Sequence, residues 1–248
     1  MKYVKLFEQH ADYEVYKNGG DYITPNVSYC VDNNEVHYEK FYDPYNGHEY
    51  IDLGLPSGTL WAKCNVGATT ETDYGMYFQW GETTGYTQSQ VGTDKNFTWS
   101  DYSMTSDNGS TMDKYNSTDG LTTLELTDDA AHVNMGGEWK MPTSTQIEEL
   151  CNTDNASHVV VNDYNGSGVS GMLFTSVTNN ATLFVPFSGV ASDGSVDYTG
   201  YEGNVWASSL SSSVNHAFYL YVYDTPDAGL DNRTRYFGFS VRGVVSSN

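Results

Sequence analysis

Residues 50–68, YIDLGLPSGTLWAKCNVGA, alternate apolar with polar positions, break at a Pro-Ser-Gly turn and end on Trp61 and Cys64, both expected to be buried. The stretch holds no catalytic base, phosphate cradle or complete set of metal ligands, so it reads as scaffold. Working outward, "YGMYFQWGET" (residues 74–83) predicts a buried strand that ends in a turn. Residues 85–120 are rich in Ser, Thr, Asp and Asn without periodicity and predict a long loop region. Two short helices are expected next. One starts after Thr127 in "TDDAAHV", where acidic residues in the first turn suit the helix dipole. The other is "PTSTQIEEL", where Thr143 and Gln146 have capping-box spacing and Ile147 and Leu150 face the core.

Beyond residue 150 the texture is strand and turn. "GMLFTSVTNNATLFVPFSG" predicts a hairpin turning near Asn179 and Asn180, followed by strands in "VWASSL", "AFYLYVY" and "YFGFSVRGVV". The pattern of many short strands, two short helices and long loops predicts an α+β domain over residues 49–248. Upstream, residues 3–17 have apolar Leu6, Phe7, Ala11 and Val15 at helical spacing, with Gly19-Gly20 as a stop. "VSYCV" and "EVHY" predict a hairpin around Asn33-Asn34, and Pro44 with Asn46-Gly47 marks a linker over 41–48. Residues 1–40 are too few to bury a core alone and call for a partner surface or oligomerisation.

The 248 residues carry 32 acidic and 11 basic side chains, a formal charge of −21, which disfavours nucleic acid and anionic lipid as partners and favours solubility. Tyrosine supplies 21 residues, which suits either half-exposed strands or a recognition surface. Cys30, Cys64 and Cys151 lie far apart without paired spacing, as reduced and mostly buried thiols do. The opening residues are too polar for a signal peptide, and no apolar run approaches membrane-spanning length. A chain made in a cytoplasm and not exported by a Sec-type signal is therefore expected.

"DLGLPSGTLWAKCNVGA", "YGMYFQWGET", "DDAAHVNMGGEWKMPT" and "YFGFSVRGV", in that order, resemble the Fibrobacter succinogenes major paralogous domain. The resemblance spans residues 50–244 and implies a C-type-lectin-like fold. Such a fold is related in architecture to formylglycine-generating enzymes and to the variable proteins of diversity-generating retroelements, with a compact core holding one irregular ligand-binding face. "YITPNVSYCVDNNEVHY" resembles leader segments of structural proteins of gut Bacteroides phages. Together these imply a virion protein, a head fibre or tail-associated adhesin that meets a host surface glycan or receptor. Residues 1–40 would join other virion proteins, and a homo-oligomer, with a trimer favoured, is implied. A capsid decoration protein without receptor binding and a bacterial cell-surface adhesin are the alternatives.

Trp61, Trp80, Trp139 and Trp206 read as core anchors, and Arg242 in "FSVR" as a buried structural cation paired with a carboxylate or carbonyls. The six histidines form no HExxH and no Cys/His cluster, so catalysis is not expected and no cofactor is assigned. Calcium is a weak option at "DYNGSG" (163–168), which lacks the following bidentate Glu and also fits a hairpin turn. The binding case rests on "NHAFYLYVYDTPDAGLDNRTRYFG". Strand alternation places Phe218, Leu220 and Val222 on one face and Tyr219, Tyr221 and Tyr223 in a row on the other. A loop beside that row offers Asp224, Asp227, Asp231, Asn232, Arg233 and Thr234, with Phe237 beyond it. Aromatics edged by small polar groups suit sugar rings; a tyrosine ladder packed against another segment or subunit is the competing reading.

Overall fold

The computed structural model describes residues 3–4, 27–32, 35–40 and 45–246, in two compact units that divide between Gly47 and His48. In the first unit, β1 (Tyr3–Val4), β2 (Val27–Asp32) and β3 (Glu35–Lys40) form an antiparallel sheet in that order. β2 and β3 are the two expected strands, paired from Val27↔Lys40 to Asp32↔Glu35. The helix expected over 3–17 is corrected at its start, because Tyr3 and Val4 pair with Tyr29 and Cys30. The rest of that helix and the turn at Asn33-Asn34 lie outside the described residues.

The second unit is a sheet-rich α+β domain. β4 (Tyr50–Asp52) and β5 (Thr59–Ala62) are the two halves of the opening stretch, and β6 (Tyr77–Phe78) is the short buried strand that follows. Helices α1 (Ala130–Met135) and α2 (Ser144–Cys151) come next. β7 (Ala156–Val161), β8 (Gly171–Ser176) and β9 (Thr182–Pro186) form an antiparallel meander, and β10 (Val190–Ser192) and β11 (Ser195–Asp197) a small hairpin. β12 (Glu202–Leu210), β13 (His216–Tyr223), β14 (Ala228–Thr234), β15 (Phe239–Ser240) and β16 (Val244–Ser246) complete it. The largest sheet has the order β14-β13-β12-β15-β6, and a second has the order β16-β5-β4.

The opening stretch earns its length by tying four elements together. Gly58 N–H closes the turn on Leu55 O at 2.9 Å, and Gly58 has φ +70, a conformation that glycine adopts without a Cβ penalty. The turn docks on α2 through Ser57 N–H to Glu149 Oε1 (2.8 Å), and Gln146 Nε2 donates to Thr59 Oγ1 (3.0 Å). Leu53 O accepts from Ser176 Oγ at the end of β8 (2.6 Å). β5 is fully buried and pairs with β16 through Trp61↔Val244. Leu53, Leu55 and Trp61 then share one core with Ile147 and Leu150 of α2, Phe174, Val205, Leu220 and Val222.

The second helix starts where the sequence places it, whereas the first is corrected: it begins at Ala130, and Asp128 and Asp129 precede its first turn instead of filling it. Thr143 and Gln146 form the capping box of α2: Gln146 N–H donates to Thr143 Oγ1 (3.3 Å) and Thr143 N–H to Gln146 Oε1 (2.9 Å). Asp129 caps α1, accepting from His132 N–H (3.0 Å), and also receives Met141 N–H on both oxygens. The hairpin β8–β9 turns at Asn179-Asn180, with Asn180 at φ 61. Trp61, Trp80, Trp139 and Trp206 are all buried, as expected of anchors.

Residues 85–120 are irregular, as the sequence indicates, yet pinned at short intervals. Phe97 and Tyr115 are fully buried plugs held at positive φ (57 and 60), a strained choice for bulky residues that burial compensates. Carboxylates gather the loop amides: Asp107 accepts from Thr111 N–H and Oγ1 (2.7 Å each), and Asp119 from Tyr115, Asn116 and Leu121 N–H. Backbone donation by Thr111 holds the Asp107 carboxyl below its ordinary range, and donation by Leu121 does the same for Asp119. A depressed folded-state pKa stabilises above about 3.9 and is lost as pH falls through the folded value. Hydrogen exchange of residues 105–121 is therefore expected to quicken below about pH 4 before the domain unfolds globally; unchanged protection there would contradict this role for the two carboxylates.

Candidate functional site

The five-stranded sheet has one face on the core and one turned away from it. Leu220 and Val222 of β13 lie in the main core, and Phe218 packs on its edge, as alternation requires. The opposite face carries Tyr219, Tyr221 and Tyr223. Cross-strand register sets Trp206 and Asp231 beside Tyr219, Asn204 and Gly229 beside Tyr221, and Glu202 beside Tyr223.

The expected open row of three tyrosines is corrected at its first member. Tyr219 is only 5% exposed, because its ring is packed against Phe239 (4.8 Å between centroids) and Trp206 (6.1 Å). That burial raises the pKa of its phenol. Tyr221 and Tyr223 remain half-buried and stack at 5.0 Å with 29° between planes. Glycine makes room for this: a Cβ on Gly229 would stand 2.7 Å from Tyr221 Oη and 3.0 Å from its Cζ, so the ring lies over bare backbone.

The polar residues divide. Asp224 and Asp227 are exposed in the turn after β13, and Tyr221 Oη donates to Asp227 Oδ1 at 3.4 Å. The segment read as a loop is largely β14, which pairs with β13 from His216↔Thr234 to Val222↔Ala228. Its polar composition disguised an edge strand, since an edge leaves one side open to water and tolerates Asp, Asn and Arg. Register then sorts its side chains. Asp231 and Arg233 share the tyrosine face, whereas Asn232, opposite Phe218, lies on the other and leaves the candidate set. Phe237 is half-buried beneath the exposed Arg233 guanidinium, 4.5 Å from ring centre to Cζ.

Sequence reasoning missed Tyr236 and Trp99. Tyr236 stacks on Phe237 (4.6 Å) and meets Trp99 (5.0 Å). Trp99 sits in the polar loop, outside the strand-flanked motifs that mark the other four tryptophans, and that difference was the available signal. Tyr201 (64% exposed), next to Glu202, was missed as well.

Comparison with protein-family models, curated proteins and solved structures gives no match. The geometry therefore carries the reading. Among the described residues, no three His, Cys, Asp or Glu side chains converge as a metal group. Asp163, the first residue of the calcium candidate, accepts Gly168 N–H (2.6 Å) inside the hairpin connection between β7 and β8. Cys64 and Cys151 are free thiols. Burial raises both pKa values, that of Cys151 to about 12, opposite to the shift that makes a thiolate reactive.

A polar cleft of about 440 Å³ is lined by residues within 81–86, 95–104 and 127–128. Its charged groups are already engaged: Lys95 Nζ is 2.8 Å from Glu82 Oε2, and Glu82 Oε1 accepts Ser103 N–H (2.7 Å). Both side chains of that ion pair are about nine-tenths buried, which suits a brace for the loop.

Proposed function

We propose that the protein is a phage virion adhesin, a head fibre or tail-associated protein, whose residues 49–248 form a C-type-lectin-like domain that grips an uncharged host-surface glycan. The observation that carries the reading is the stacked, half-buried pair Tyr221 and Tyr223 on a sheet face edged by exposed carboxylates. Tyrosine rings offer flat apolar area to the C–H face of a sugar, and Asp227, Asp231 and Glu202 offer acceptors for hydroxyl groups. Mounting the rings on a paired strand fixes their geometry before the ligand arrives, which lowers the entropy lost on binding. The four ordered motifs support the lectin-like family, and the N-terminal leader supports the virion setting, with residues 1–40 joining other virion proteins and forming a homotrimer. A tethered trimer converts a weak single contact into avidity. The formal charge of −21 supports an uncharged ligand over nucleic acid or anionic lipid.

Binding of the full chain to a glycan array and to whole host cells tests this. The double variant Tyr221→Ala/Tyr223→Ala is expected to lose about fivefold to 150-fold in apparent affinity, as two stacking contacts of roughly 0.5–1.5 kcal/mol each imply. Full retention of binding by a folded double variant would move the site elsewhere. Absence of binding by the unaltered chain would favour a capsid decoration protein.

A further inference from the structure

Resting on that glycan reading, we propose that the protein recognises an extended, uncharged oligosaccharide of several units lying along the aromatic face that runs from the Tyr221–Tyr223 pair to Trp99. A single terminal sugar would leave most of that face unused.

Ring contacts run unbroken from Tyr219 to Trp99, and the Tyr221–Tyr223 pair precedes them on the same face of β13. Tyr221 and Tyr223 stack at one end (5.0 Å). Tyr219 and Phe239 form a nearly buried floor (4.8 Å), and Phe239 meets Phe237 at 6.3 Å. Phe237, Tyr236 and Trp99 then follow at 4.6 and 5.0 Å. Tyr221 and Tyr223 at one end and Phe237, Tyr236 and Trp99 at the other are half-buried, so two aromatic stations stand on either side of the nearly buried Tyr219 and Phe239. Along β13, Tyr223 and Ala217, whose cross-strand neighbour is Arg233, are six residues apart, roughly 20 Å at about 3.3 Å per residue. That span exceeds one sugar ring several times over.

The far station is built as firmly as the near one. A Cβ on Gly109 (φ +88) would stand 2.4 Å from Trp99 Cδ2, so backbone alone backs the indole. Gly109 N–H is held by Thr105 Oγ1 (3.0 Å), which in turn donates to Asp107 Oδ1 (3.0 Å). On the other flank, Asp101 Oδ1 accepts Thr98 N–H (2.7 Å) and Asp101 Oδ2 accepts Asn96 N–H (2.8 Å). The polar loop thus fixes a partly exposed tryptophan on both sides, the preorganisation that a stacking ligand exploits. Asp231 lies beside the floor, and Arg233 beside the far station, so hydroxyl acceptors and one fork of donors flank the path. Acidic groups outnumber this single guanidinium along the row, which disfavours polyanionic chains.

The test measures equilibrium binding of the full chain to size-fractionated oligosaccharides of one to six units from mannan, xylan, glucan and galactan, with oligogalacturonate as the charged comparator. Affinity is expected to rise at least about tenfold between one and four units in a neutral series, with oligogalacturonate weaker at every length. Trp99→Ala and, separately, Tyr236→Ala are expected to flatten that rise while leaving the single-unit affinity in place. Equal affinity for one and four units, an unaltered rise in a folded Tyr236→Ala variant, or no binding in any neutral series overturns the proposal. Loss of oligomerisation in these variants, with the length dependence intact, would assign the far station to contacts between copies and also overturn it. If Tyr221→Ala/Tyr223→Ala abolishes binding while length has no effect, the adhesin reading stands and the extended chain falls. If that double variant binds whole cells unchanged, both fall.

Discussion

Arg242→Ala is expected to destabilise residues 48–248 by about 3–5 kcal/mol, combining a large buried cavity with orphaned acceptors. Arg242 is fully buried between β15 and β16. Its Nε donates to Asn65 Oδ1 (2.9 Å) and its Nη1 to Phe184 O (2.7 Å), joining the segment after β5 to β9. The expected carboxylate-or-carbonyl pairing resolves to two carbonyl oxygens. Burial pulls its pKa down to about 10. Arg242→Met separates the effects, since it keeps most of the volume, removes the desolvated charge and still leaves Asn65 Oδ1 and Phe184 O unpaired. It is expected to recover roughly half of the loss, and urea denaturation with an unchanged m-value measures both. An alanine variant within about 0.5 kcal/mol of the parent would show that the guanidinium does not hold these segments together.

Raising the pH above about 10 is expected to unfold the domain cooperatively. Tyr77, Tyr102, Tyr115 and Tyr219 are buried, and desolvation raises the pKa of each, that of Tyr115 to about 12. The unfolded chain ionises its tyrosines near pH 10, whereas these four resist ionisation while folded. Between the two values the unfolded state binds fewer protons, so stability falls with rising pH. Arg242 acts in the opposite sense, because its folded pKa lies below its unfolded one, but a single group opposes four. Tyrosinate absorbance and far-ultraviolet circular dichroism should therefore change together in one step. Smooth ionisation of all tyrosines near pH 10 with the fold intact would contradict the burial of these rings.

Local periodicity and turn chemistry fixed much of this protein in advance. The capping box at Thr143, the hairpin at Asn179-Asn180, the four tryptophan anchors and the inward set Leu220 and Val222 are dictated by neighbours within a few residues, so they were legible from order alone. Arg242 was legible as a buried cation because it sits in an apolar run, but its partners, 177 and 58 residues away, were not.

The site depended more on distance in the chain. Alternation put Tyr219, Tyr221 and Tyr223 on one face, yet only the packing of Phe239 and Trp206 decided that Tyr219 is floor and the other two are surface. The polar run from Asp224 to Thr234 carried no strand pattern, because an edge strand owes its structure to hydrogen bonds from β13 and leaves its free side in water. Trp99 and Tyr236, 137 positions apart in sequence, meet only through the folded loop between β6 and α1. The sequence alone determined which residues pair locally and which face of each strand is apolar, since backbone geometry repeats every two or 3.6 residues. Tertiary structure alone decided which aromatic rings stay open to a ligand, because exposure is set by whatever distant segment comes to rest on them.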